Sequence, residues 1–315
     1  MKYADMHCDT LTELYLHGFD IAATPLHISL DGAAGICQYV QSAAIWTDKK
    51  LDDNAAYDRF WNVLHHFEAS DSVKGGKIKL CRNSADARAA AAEGLPAFIL
   101  SIEGARLLGS DTLDERFRAV ADAGVWLITL QWSDTDCIGG AWNTDVGLTD
   151  AGVRLLHLMA ERGIVCDLSH ASDTETDEVL SHAEALGLRV CASHSNSRAV
   201  CAHRRNLTDA QFAKIRGMKG VVGLSMAPEH LSESGFAGID DIRRHLEHYL
   251  ELGGEDTVVL GCDFDGISST PAGVGGIRDI PRLRDTLARD YPPELISRLF
   301  FGNAARFMGI DGSSD

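Results

Sequence analysis

A chain of 315 residues, 45% apolar and 24% charged, has the make-up of a soluble globular protein with length enough for a large core. Its 46 acidic residues against 29 lysines and arginines give a formal net charge of −17, which argues against nucleic acid or an anionic membrane as partner, since both call for basic patches. Eight cysteines without a CxxC pair read as reduced core thiols. No run reaches transmembrane length, and a strand-like segment begins almost at Met1, so no cleaved signal is expected and the location expected is cytoplasmic.

The first strand, Tyr3-Ala4-Asp5-Met6, leads into His7-Cys8-Asp9-Thr10. Residues two apart on an extended strand share a face, so His7 and Asp9 can address one point, as a metal site needs. The alternative is that Asp9 caps a helix starting near Thr10 and His7 is incidental. Gly35 to Trp46 reads as a second strand, followed by a helix from Ala55 to Ser70, an excursion with Ile78 to Cys81, and an Ala-rich helix from Ser84 to about Glu93. The strand Ala97-Phe98-Ile99-Leu100-Ser101-Ile102-Glu103 then finishes on a carboxylate. A glutamate at the end of an otherwise buried run is costly unless paired or bound to a metal.

Val125 to Leu130 forms the next strand, and the loop from Gln131 to Asn143, with two tryptophans and a Gly-Gly, suits a substrate pocket. A helix follows over Asp150 to Arg162, with Thr149 or Asp150 as N-cap and Gly163 at its stop. Two short apolar runs, Ile164 to Ser169 and Val190 to Ser193, each end at a histidine, His170 and His194. Their separation of 24 residues is one loop-helix-loop-strand unit of a parallel α/β fold, which brings both to the same end of the sheet. Each alone can be a hydrogen-bonded loop residue; in register they can hold one metal ion. A basic cluster, Arg198 to Asn206, comes next and is a candidate for anion binding. The remaining elements are a helix from Thr208 to Met218, a strand at Val221 to Ser225 and a charged helix over Ile239 to Leu252, with His245 and His248 on its wet side. A last strand, Val258 to Gly266, also ends in carboxylates; helices near Ile280 to Ala288 and Pro293 to Phe300 precede a frayed tail, residues 309–315.

Eight strand candidates, mostly alternating with helices and lacking a dinucleotide fingerprint, predict a single domain over residues 1–315, a (β/α)8 TIM-type barrel. Only a closed barrel brings the ends of strands one, three, five, six and eight to one mouth. Those ends carry His7, Asp9, Glu103, His170, His194 and Asp263. Three carboxylates and three imidazoles exceed the needs of one tetrahedral zinc and divide into two sets sharing a bridge. Two metal ions about 3.5–4 Å apart can hold a hydroxide and polarise a carbonyl, which is hydrolase chemistry.

These residues carry a resemblance. The segments Asp5-Met-His7-Cys-Asp9-Thr10, Ser101-Ile-Glu103-Gly104, Asp167-Leu-Ser-His170, Ser193-His194-Ser195, Arg204-Arg205-Asn206, Gly261-Cys-Asp263-Phe-Asp265-Gly266 and Gly302-Asn303 resemble, in order and over nearly the whole chain, those of the membrane (renal) dipeptidase family of the amidohydrolase superfamily. The resemblance implies two Zn2+ ions, with other divalent first-row metals as substitutes. His7, Asp9 and Glu103 would bind the first, and Glu103 would bridge to a second completed by His170 and His194. Asp263 would move the proton from the attacking water to the leaving amine, and Arg205 would pair with the free carboxylate of a dipeptide. No carbamylated lysine is expected, because no lysine stands at a strand end. One departure is Trp132, at a position where many members carry a histidine near the scissile carbonyl; an indole N–H donates a hydrogen bond but carries no charge.

The expected function is a dizinc dipeptidase acting on dipeptides, L-Xaa-D-Xaa included. The alternatives are an amidase or N-acyl-amino-acid hydrolase on the same metals, and a non-catalytic metal-dependent binding protein, against which Asp263 speaks. A homodimer is the default expectation for such an enzyme.

Overall fold

Each of the eight expected strands forms, and all of them lie parallel in one sheet. In the computed structural model, which describes residues 1–311, the strands are β1 (Lys2–Cys8), β2 (Gln38–Trp46), β3 (Lys79–Cys81), β4 (Ala97–Glu103), β5 (Leu127–Thr129), β6 (Val165–Asp167), β7 (Val190–Cys191), β8 (Val222–Leu224) and β9 (Val258–Leu260). The hydrogen-bonded order is β7-β6-β5-β4-β2-β1-β9-β8. A parallel bridge between Ala192 and Val222 joins the two ends, so the barrel closes and leaves no long unpaired edge. The ninth strand, β3, lies beside the first half of β4, where β5, which pairs only from Ser101 onward, has not yet begun.

Period-two alternation explains the two layers of the core. One set of strand side chains, Met6, Val40, Ile99, Leu127, Val165, Cys191, Val221 and Val259, clusters with Ala304, Phe307 and Ile310, which close the barrel floor. The alternate set packs outward: Tyr39 meets Phe98, and Phe98 stacks on Phe67 of the helix Asp53–Ala69. Above the floor the interior turns polar. Ser42 Oγ–H donates to Ser101 Oγ at 3.2 Å and Thr129 Oγ1–H to Asp167 Oδ2 at 2.6 Å. Register pairs Trp46 with Glu103, Glu103 with Thr129, and Thr129 with Asp167, so these four form one row leading to the mouth.

Two glycines make this closure possible. A Cβ on Gly223 would stand 1.9 Å from the Ser193 carbonyl oxygen, and one on Gly261 would stand 1.7 Å from it. The segment carrying His194 therefore packs directly against bare backbone of its neighbours.

Most helices fall within a residue or two of expectation, among them Ser84–Ala92, Asp150–Arg162, Asp209–Gly217 and Ile239–Glu251, while the one expected over Pro293 to Phe300 is α-helical only to Ser297 and continues as a π-helical turn, Arg298–Gly302. Thr149 is the N-cap of Asp150–Arg162, accepting from Gly152 N–H. The helix Leu113–Asp122 was not among the expected elements, although Leu113, Phe117 and Val120 form a buried stripe at i, i+4 and i+7. His245 also differs from expectation. It is buried, with Nδ1 accepting from Ser197 N–H and Nε2 donating to Leu231 C=O, because the loop after His194 folds over its face of the helix. Of the tail expected to fray, Ile310 is buried and its N–H donates to Ala305 C=O; residues 312–315 lie outside the described residues. Among the described residues no helix is long and apolar enough to cross a membrane.

Candidate metal centre and substrate cavity

At the mouth of the barrel, the register of β1 shifts between Asp5 and Cys8 relative to β2. One extra residue inverts the alternation and re-aims the side chains beyond it, which brings His7 to the interior beside His194, their rings stacked at 3.9 Å. The backbone beneath is held by the buried Asp5, whose Oδ1 accepts from the N–H groups of His7 and Cys262. Asp9 occupies the N-cap position of the helix Thr10–His17 but makes no side-chain cap hydrogen bond. The capping alternative therefore does not account for it.

Glu103 lies at the centre. Its Oε1 is 2.8 Å from His170 Nε2, 3.5 Å from His194 Nε2 and 3.7 Å from His7 Nε2. His7 Nε2 is in turn 3.4 Å from Asp9 Oδ2 and 3.8 Å from Asp263 Oδ1. All six expected strand-end residues thus converge, and all but the partly buried His170 are buried. His170 and Asp263 hold left-handed backbone angles, φ 71° and 61°, an uncommon conformation for residues other than glycine that concentrates at functional sites.

The tautomers of two imidazoles follow from their partners. His170 Nδ1–H donates to Trp132 C=O at 2.7 Å. Ser193 Oγ–H is committed to Asp167 Oδ2 at 2.5 Å, so the 2.7 Å contact with His194 is donated by His194 Nδ1–H. Both Nε2 atoms then present lone pairs, only 2.9 Å apart and facing a carboxylate. A cation satisfies this arrangement.

Other observations agree. His7 Nδ1, His7 Nε2 and Asp9 Oδ1 are buried without a hydrogen-bond partner. A Cβ at Gly266 would come within 2.2 Å of Asp9 Oδ2 and 2.4 Å of Asp263 Oδ1, so the cradle depends on glycine. Burial pushes Glu103 upward, but His7 and His170 outweigh it and hold the carboxyl well below its usual range. His7 runs the other way: burial lowers it, and Glu103 and Asp9 carry it well above the usual imidazole value. The side chains alone thus draw a proton into the cluster, the position a metal ion takes when it displaces protons from its ligands. Imidazole nitrogen and carboxylate oxygen suit a divalent first-row metal.

The cluster floors a cavity of about 260 Å³, walled by Trp46 and Trp132 and lined also by Glu13, Asp265 and Gly266. That is below the roughly 300–1,000 Å³ of pockets for drug-sized ligands, so the substrate is small. The basic cluster separates into three environments. Arg198 pairs with Asp173 and Arg204 with Asp145, both toward the surface, whereas Arg205 is buried, with Nε and Nη2 lacking any partner among the described residues. Burial holds its guanidinium pKa below the ordinary value, against the opposing pull of Asp263 and Glu103.

Sequence reasoning passed over Asp5, Asp167 and Ser193 as supports, and Glu13 and Trp46 as cavity walls. The two aspartates carried a readable signal, a carboxylate within an apolar strand, the same anomaly that exposed Glu103.

Barrel and cluster together define a metal-dependent hydrolase. A family profile described as membrane dipeptidase (peptidase family M19) matches residues 1–311, and the chain belongs to that family. It is 31% identical over 264 residues to the "uncharacterized protein in pqqA 5' region" of Klebsiella pneumoniae, covering 80% of this chain and 95% of that one. Among solved structures it is similar to the dipeptidase AC, a metallo peptidase of family M19, with a TM-score of 0.90, 27% identity and 100% and 99% of the two chains covered. It is also similar to a metallo peptidase from Rhodobacter sphaeroides liganded with a phosphinate mimic of the dipeptide L-Ala-D-Ala, with a TM-score of 0.89, 26% identity and 98% and 99% covered. The protein is a metal-dependent dipeptidase.

Proposed function

We propose that the protein is a dizinc dipeptidase whose substrates include L-Xaa-D-Xaa dipeptides. The observation that carries the count of two is that, of the three donor groups that converge, His7–Asp9–Glu103 and Glu103–His170–His194 share Glu103, while the third, His7–His194–Asp263, takes one imidazole from each. Bound divalent ions would polarise the scissile carbonyl and make an attacking water acidic. The residues supply the rest. Asp263, buried and pushed well above the usual carboxyl range chiefly by that burial, takes the proton from the water and gives it to the departing amine. Arg205 offers two unpartnered N–H groups as a planar fork for the terminal carboxylate. Trp132 orients His170 through its carbonyl and walls the cavity with its ring. The neighbour bound to an L-Ala-D-Ala mimic supports tolerance of a D-residue.

The test combines metal analysis with assays on L-Xaa-D-Xaa dipeptides, L-Xaa-L-Xaa dipeptides and N-acetyl amino acids. The expected result is two zinc ions per chain and turnover of dipeptides. Turnover of the acylated set alone would make the enzyme an amidase, and one ion per chain at full activity would remove the bridge.

A further inference from the structure

The order of strands around the barrel divides the mouth into two halves. Arg205 follows β7, and the neighbouring strand β8 leads to His230, whose ring lies 4.7 Å from that of His203. The opposite half is built by β1, β2, β4 and β5. It carries Glu13 on the helix after β1, Trp46 at the end of β2 and Trp132 just beyond β5. A dipeptide held at its carboxylate by Arg205, with its carbonyl at the cluster, has this second half for its amino-terminal residue.

Trp46 and Trp132 meet edge to face at 4.8 Å and 73° and wall the cavity together with Glu13. The indole N–H of Trp46 is buried without an acceptor among the described residues. The lining contains five carboxyl groups and no lysine or arginine. Asp9, Glu103 and Asp263 belong to the donor cluster. Asp265 is committed, accepting from the Thr10 hydroxyl and from His27 N–H, each at 2.6 Å. Glu13 is different: among the described residues its partner is His17, 3.3 Å away on the next helical turn, with a side chain 54% exposed. An ion pair in that setting contributes little, so Glu13 is the uncommitted carboxylate of the cavity.

We propose that Glu13, with the Trp46–Trp132 wall, selects a cationic side chain on the amino-terminal residue, so that dipeptides beginning with lysine or arginine are the favoured substrates. The inference rests on the dipeptidase reading above and on Arg205 holding the opposite end. Its chemistry is direct: an alkyl stem lies along aromatic faces, the cation gains from the ring quadrupoles, and its charge meets Glu13. A glutamyl residue in the same place meets like charge.

The test measures kcat/KM of the metal-loaded, full-length enzyme on L-Lys-D-Ala, L-norleucine-D-Ala, L-Glu-D-Ala and L-Ala-D-Ala, for the parent chain and for Glu13→Gln. Lysine and norleucine share the backbone ammonium and the stem, so their ratio isolates the side-chain charge and is insensitive to losses of metal or fold. The parent enzyme is expected to favour lysine over norleucine by about tenfold or more, with the glutamyl substrate poorest, and the ratio should fall to within about threefold of unity in Glu13→Gln. A ratio near one in the parent, or one unchanged in Glu13→Gln, overturns the inference while turnover of L-Ala-D-Ala leaves the dipeptidase reading standing. Hydrolysis of none of the four removes both.

Discussion

Asp167 supports His194 through a single hydroxyl. Ser193 Oγ–H donates to Asp167 Oδ2 at 2.5 Å and accepts from His194 Nδ1–H at 2.7 Å, while Ser193 N–H donates to Asp167 Oδ1 at 2.7 Å. The carboxylate is also held by Thr129 Oγ1–H and Ser169 N–H. This fixes the tautomer and aim of the imidazole, a role whose loss costs metal sites about 10–100-fold in affinity. Ser193→Ala is accordingly expected to weaken metal binding by that factor in competition with a chelator, at near-parental thermal stability of the metal-free protein. An unchanged affinity would show that the hydroxyl has no such role.

Glu103 is common to two of the three donor groups, the ones it would bridge. Glu103→Gln keeps the shape and removes the charge, so under the proposed two-metal site both ions should be lost together and activity should fall at least about 1,000-fold, as for loss of an essential electrostatic group. Metal content per chain after dialysis is the measurement. Loss of one ion with retention of the other would contradict the bridge.

For Asp263 the expectation is a change in rate with little change in binding. Asp263→Asn cannot carry a proton and should lower kcat by about 10²–10⁴-fold, the usual contribution of a positioned acid-base group. Metal content should hold, and KM should move by less than about threefold if substrate affinity comes from Arg205 and the cavity walls. A proportional loss of metal would instead make Asp263 a ligand.

Arg205 predicts the converse split. A lysine retains the charge but not the fork, so Arg205→Lys is expected to raise KM for dipeptides by about 100-fold, the scale of one or two charged hydrogen bonds. Initial rates over a wide substrate range would show it, and an unaltered KM would place the terminal carboxylate elsewhere.

His245 links the fold to acid. Burial is the main cause lowering it from 6.5 to about 4, so the folded protein keeps it neutral while the unfolded chain protonates it. Between those two values the unfolded state binds more protons, and stability rises with pH. The contribution is complete above about pH 6.5 and is lost as pH falls through about 4, amounting to about 3 kcal/mol. Denaturant melts of the parent and His245→Gln, compared at pH 7 and 4.5, should show the parent losing more stability on acidification.

The residues legible in the sequence were those at which a strand's own pattern was violated. Glu103 closes an apolar run, and His170 and His194 end two others one repeat apart, so periodicity alone placed them at one mouth. His7 was legible for a reason that proved incomplete. The strand pattern put it on a face with Asp9, but its inward aim depends on a register shift against β2, a tertiary event with no local signature. His245 is hidden in the sequence because the many charges of its helix mask an apolar stripe, Ile242, Leu246 and Tyr249, that is buried on the same face. Glu13 sits four residues before His17 and has the look of a solvated helical pair; its place in the cavity comes from what surrounds it. Arg204 and Arg205 are adjacent and identical, and three-dimensional packing alone separates the surface pair from the buried fork.

Gly223 and Gly261 press against the Ser193 carbonyl from two neighbouring strands, and His194 is the next residue. Its alignment with Glu103 is therefore set by how tightly the barrel shuts, where any side chain at either glycine would act as a wedge. The Glu13 wall answers to a different authority, since it comes from a helix beyond the strands, whereas Trp132 serves both ends, lining the cavity and holding His170 through its carbonyl. An engineer can therefore vary Glu13 for a new dipeptide while leaving the seam beneath it untouched.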